Sequence, residues 1–101
     1  MVQMNQIVQA SEMLKAISHP MRFAIFRMLC ASRELCVSDI YSELDIEQAV
    51  ASQHLKILKD KGVLAMNKQG KHAYYSLAKP NFREMLQAID DCTECKENLN
   101  L

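Results

Sequence analysis

The apolar positions of this chain keep a helical period up to Gly62 and a strand-like one just after it. They recur at helical spacing from about residue 6 to 17 and again from 21 to 30. In the second stretch Ile25 and Leu29 lie one turn apart, with Phe26 beside them. Pro20 divides the two stretches, and its missing N–H suits a first helical position. A short helix is predicted over residues 38–44 and a longer one over 48–61. The turn between them, "ELDIEQ", places Asp45 and Glu47 near the next helix start, where negative charge is favourable. "LKILKDK" ends that helix with lysines, and Gly62 suits the left-handed cap that follows.

Beyond Gly62, "VLAMNK" and "HAYYSL" are short β-compatible runs joined through Gln69, Gly70 and Lys71, the pattern of a hairpin. Tyr74 and Tyr75 alternate across the second run, so one is expected to pack inward and the other to face out. Pro80 opens a last helix over about residues 81–92, with Phe82, Met85, Leu86 and Ile89 as its apolar stripe. The tail, about residues 96–101, is expected to fray. The predicted order is α-α-α-α-β-β-α, mainly α with a small β-hairpin. Two helices at a tight turn followed by a hairpin make a winged helix-turn-helix, here one domain over residues 1–101.

Composition adds a charge asymmetry. The net charge is zero, yet Lys56, Lys59, Lys61, Lys68, Lys71 and Lys79 stand between residues 48 and 79 against the single acid Asp60. Residues 34–47 hold five acids and no base. This pattern suits a localised phosphate-contacting surface better than indiscriminate nucleic-acid binding. No apolar run reaches the roughly 18 residues of a membrane span, and the amino terminus carries no export pattern. A cytoplasmic protein is expected, in which Cys30, Cys36, Cys92 and Cys95 are thiols, ligands or redox switches rather than structural bridges.

The helix over residues 48–61 is divided into two faces. Val50, Leu55, Leu58 and the flank of Ala51 are expected to point inward. Ala49, Ser52, Gln53 and Lys56 recur at i, i+3, i+4 and i+7 on the other side. Small residues let a helix approach the major groove, glutamine can bond a base edge bidentately, and serine can reach base or phosphate. Lys56, Lys59 and Lys61 would line the backbone. His54 has two readings, a packed ring bonded to nearby backbone or a phosphate contact. At the hairpin tip, Lys68, Gln69, Lys71 and His72 form a basic wing able to grip neighbouring phosphates.

Taken together, "LKAISHPMRFAIFRML", "ELCVSDI", "ASQHLKILKDKGVL" and "QGKHAYYSL" resemble the ArsR/SmtB family of small winged-helix repressors, in order and in spacing. The resemblance covers about residues 13–92. It implies a homodimer built from the first and last helices on a two-fold symmetric, double-stranded DNA operator. It also implies release of DNA by a metal, a metalloid or a reactive sulfur species. Metal-sensing members carry two cysteines in the segment matched by "ELCVSDI"; this chain keeps Cys36 and has Ser38 in place of the second. The last helix has Asp90 and Asp91 but no histidine, so the interface zinc or nickel site of such proteins lacks its counterpart.

Cys92 and Cys95 form "CTEC" and with Cys36 or Cys30 could supply three thiolates to a thiophilic metalloid. Redox-sensing members place their amino-terminal cysteine within the second helix, where this chain has Arg27, and a partner near the end of the last helix, which Cys92 or Cys95 matches approximately. Cys36 stands at the head of the short third helix, where a thiolate is stabilised by the helix dipole. The alternatives are a DNA-binding or architectural module whose cysteines are inert, and a thiol-disulfide oxidoreductase working through "CTEC". The second lacks a basic activator and a βαβ context. A non-enzymatic DNA-binding regulator controlled through its thiols is expected.

Overall fold

The computed structural model describes the backbone of residues 3–99 and side chains up to Thr93. Five helices and three strands follow one another as α1 (Met4–Ile17), α2 (Pro20–Ala31), β1 (Leu35–Cys36), α3 (Val37–Leu44), α4 (Gln48–Asp60), β2 (Leu64–Gln69), β3 (His72–Leu77) and α5 (Phe82–Leu99). This is the winged helix-turn-helix expected from the sequence, with two differences. The sheet has three strands, because β1 pairs antiparallel with β3, Leu35 opposite Tyr75 and Cys36 opposite Tyr74. A two-residue strand has no period to read, so only its distant partner reveals it. The last helix also runs to Leu99, beyond the expected end near Cys92.

The punctuation residues act as anticipated. Pro20 is the first residue of α2, and His19 caps that helix by accepting the Met21 N–H at its Nδ1 over 3.1 Å. Gly62 has φ +81°, and the Val63 N–H reaches back to the Leu58 carbonyl at 2.9 Å, closing α4. Gly70 has φ +63° between the paired residues Gln69 and His72, so the hairpin turn is two residues long. Asp45 caps α3 at φ 52°, a left-handed conformation that aspartate tolerates better than most side chains.

The core lies where α2, α3, α4 and the sheet meet. Ile25, Phe26 and Leu29 of α2 are fully buried with Ile40, Leu55 and Leu58, and Phe82 and Leu86 of α5 close one side. Phe26 and Phe82 meet edge-on with centroids 6.2 Å apart. Tyr75 packs inward and Tyr74 is half-buried. Outside the core, α1 exposes Met4, Ile7, Val8 and Leu14, an apolar face left uncovered among the described residues. Among the described residues no helix is long and apolar enough to cross a membrane.

Candidate nucleic-acid interface and cysteine sites

The inward stripe of α4 is Ala51, Leu55 and Leu58, each fully buried. This corrects the assignment of Val50, which is 37% exposed. At about 100° per residue, the face centred on Leu55 and Leu58 passes through Ala51, and Val50 lies one step to the side. Ala49, Ser52, Gln53, Lys56 and Lys59 are exposed, as the periodicity required. Val50 therefore joins the outward surface beside Ala49, an apolar group at the head of a helix that otherwise shows small and amide side chains. Its signal was present in the sequence as an apolar residue off the Leu55–Leu58 axis.

Two lysines of this segment are tied individually. Lys56 donates to Asp60 at 3.1 Å, one turn along the same helix. Lys61 turns away to Glu12 of α1 at 3.0 Å, so it is not placed with Lys56 along a backbone track. The Lys61 hydrogen bond and charge, with a smaller effect of Lys15, hold the Glu12 carboxyl below the usual glutamate value. At the wing, Lys68, Gln69, Lys71 and His72 are all exposed around the Gly70 turn.

His54 is packed in part, without the backbone bond that a packed ring was expected to make. It is half-buried, its ring lies 5.0 Å from that of His19 at 48°, and its Nδ1 is buried with no hydrogen-bond partner. Burial first, then the neighbouring His19 and Arg22, push its pKa below the ordinary histidine value.

The cysteines fall into different surroundings. Cys36 is the N-cap of α3 and at once a residue of β1. Its backbone N–H donates to Asp39 Oδ2 at 3.1 Å, its Sγ donates to the same oxygen at 3.2 Å, and Ser38 Oγ lies 2.9 Å from the sulfur. The thiol lines a cleft of about 320 Å³ with Ser38, Tyr41, Gln48, Lys71 and His72, between α3, the start of α4 and the wing tip. Cys30 lines another cleft, between α2 and α5, with Arg27, Arg83 and Asp90. Burial pushes its thiol pKa up, against partial compensation by Arg83 and Arg27. In that same region Arg27 and Asp90 form an ion pair joining α2 to α5. Cys92 is exposed on α5, and Cys95 lies outside the described side chains.

Cys30, Cys36 and Cys92 are free, and no group of three or more His, Cys, Asp or Glu among the described residues is arranged to hold a metal. The donors beside the Cys36 sulfur are the oxygens of Ser38 and Asp39. Among the described residues, these donors alone do not fit a thiophilic metalloid, which calls for further thiolates.

Known proteins share this architecture. Residues 19–65 match the family described as "Bacterial regulatory protein, arsR family". An uncharacterized HTH-type transcriptional regulator of Methanocaldococcus jannaschii is 31% identical over 88 residues, covering 87% of this chain and 99% of that one. The repressor SmtB of Mycobacterium tuberculosis is 41% identical over 69 residues, 68% of this chain, which spans 50% of the length of that relative. The crystal structure of the transcriptional repressor PagR of Bacillus anthracis superposes with a TM-score of 0.77 at 32% identity, covering 86% of this chain and 99% of that one. The helix-turn-helix, the wing and these likenesses agree: the chain belongs to the ArsR family of transcriptional regulators.

Proposed function

We propose that the protein is a homodimeric repressor that reads a two-fold symmetric operator through α4, grips phosphates with its wing, and loses DNA affinity when the Cys36 thiol is modified. The observation that carries the DNA reading is the division of α4. Ala51, Leu55 and Leu58 are withdrawn into the core, while Ala49, Val50, Ser52, Gln53 and Lys56 are presented outward. Gln53 and Ser52 suit base edges, and Val50 and Ala49 suit a thymine methyl. Lys59, Lys68, Gln69, Lys71 and His72 suit phosphates, which position the protein without specifying sequence.

The exposed apolar side chains of α1 support dimerisation, since a face carrying Met4, Ile7, Val8 and Leu14 gains by being covered. A two-fold axis would then set two copies of α4 about one duplex turn apart.

Thiol control is supported by where Cys36 stands. One residue caps α3, pairs with Tyr74 of the wing strand and lines the cleft facing Lys71 and His72. An oxidised or persulfidated sulfur there would be larger and would lose its bond to Asp39, disturbing the helix-turn-helix and the wing together. Cys30, half-buried and with its pKa raised, is the inert thiol of this set. The test is an operator titration of wild type and Cys36→Ser, reduced and after diamide or an inorganic polysulfide. Loss of affinity on treatment in wild type, absent in the variant, is expected. An equal loss in both would move the sensor elsewhere.

A further inference from the structure

We propose that His19 is a positioning residue for the recognition helix: its imidazole, fixed at the head of α2, seats the His54 ring of α4, and protonation of His54 unseats α4 and releases operator DNA. This rests on the reading that α4 contacts the operator.

The geometry has three parts. His19 is not a loose surface ring, because its Nδ1 accepts the Met21 N–H at 3.1 Å. Arg22, one turn into α2, donates from Nε to the Ala16 carbonyl at 2.7 Å, fixing the α1–α2 corner beside it. The His54 ring lies on this corner, 5.0 Å from His19, with its Nδ1 buried and unpartnered. A neutral ring can leave Nδ1 as an unprotonated acceptor at modest cost. A protonated ring must leave a buried N–H without an acceptor and a positive charge beside His19 and Arg22.

Among the described residues no carboxylate forms an ion pair with His54. The groups acting on His54 are His19 and Arg22 of α2. On α1, Glu12 is engaged by Lys61 and Lys15. Lys56 and Asp60 of α4 itself pair with each other. The folded value thus lies below the unfolded one of about 6.5. The stability that depends on neutral His54 is complete above that pH and declines as the pH falls from it toward the folded value. Nearby operator phosphates act in the opposite sense, drawing a proton onto any histidine that touches them. The direction of the pH effect on DNA affinity therefore separates a seated ring from a phosphate contact.

The experiment uses the full chain and a duplex selected from a random library for binding at neutral pH. In wild type, operator affinity should fall by roughly five- to tenfold on acidification to about pH 5.5, the lower end of ordinary coupling strengths. Affinity for random duplex should hold or rise. His54→Gln should lose this pH step. His19→Asn keeps a capping side chain for α2 but removes the ring; it should weaken operator binding at neutral pH and raise the His54 midpoint.

That midpoint is read by side-chain NMR in the DNA-free protein, independently of any operator and even if His54→Gln fails to fold. In wild type it should lie below the ordinary histidine value. Four results would each overturn the proposal: operator affinity that rises in acid, a His54 midpoint at or above about 6.5, a pH step retained in His54→Gln, or a His19→Asn variant with unchanged affinity and midpoint. Failure of the library to yield any selected duplex, with the NMR midpoints as expected, would instead count against α4 as the reading helix.

Discussion

The outward face of α4 and the junction around Cys36 sit on one small scaffold, but different kinds of information build them. The face of α4 is local: a single helix carries the buried stripe and the presented side chains, and the core on one side leaves the other free. The Cys36 junction is assembled from three elements, with the head of α3, the pairing of β1 with β3 and the basic wing tip all meeting at one sulfur. A local face can be edited residue by residue with effects on one function. A junction passes any change at its centre to every element that meets there.

The largest effect is expected from the reading face. Ser52→Ala with Gln53→Ala should cost roughly 1–3 kcal/mol for each base edge no longer read and abolish operator discrimination. Thermal unfolding should be unchanged, because both side chains are exposed. A mobility-shift titration against the operator and a scrambled duplex checks it; wild-type discrimination would remove α4 from the interface. On the buried side of the same helix, Leu55→Ala should lower stability by about 2–5 kcal/mol, measured by denaturant unfolding. If the two results came out alike, the division of α4 would be wrong.

A smaller and more uniform effect belongs to the wing. Lys68→Ala with Lys71→Ala should weaken all duplexes about equally and flatten the salt dependence by about 1 for each phosphate no longer neutralised. Sequence-selective loss with an unchanged salt slope would make the wing a reader. The smallest effect is that of Cys36→Ser on the reduced protein. Serine also caps a helix, so operator affinity should stay within about 0.5 kcal/mol of wild type. A large loss there would make Cys36 a structural residue of the junction rather than its sensor.

The same contrast explains what the sequence could and could not disclose. Pro20, Gly62 and Gly70 mark element ends by backbone chemistry that needs no partner, so the helices and the hairpin were legible. The exposure of Ser52, Gln53 and Lys56 was legible because a helix repeats its faces. Val50 departs from its expected inward place on the same ground: it lies about 100° off the line through Ala51, Leu55 and Leu58, a step the helical period already contains. Strand β1, the contact between His54 and His19, and the turning of Lys61 to Glu12 are tertiary pairings between distant residues. The residues were visible one at a time, but their meetings were not.

The pairing of β1 has a mechanical consequence. Leu35 and Cys36 bind β3 at Tyr75 and Tyr74, which on their other side face Met66 and Asn67. The root of the wing is thus three strands wide and clamped to the α3 segment, while from Lys68 to Ala73 it is a two-stranded ribbon. Such a body behaves as a cantilever, stiff where it is built in and compliant at its free end. The basic tip can follow the local width of a groove through twisting of the ribbon, while any load it feels is delivered to the clamp, and the clamp contains Cys36.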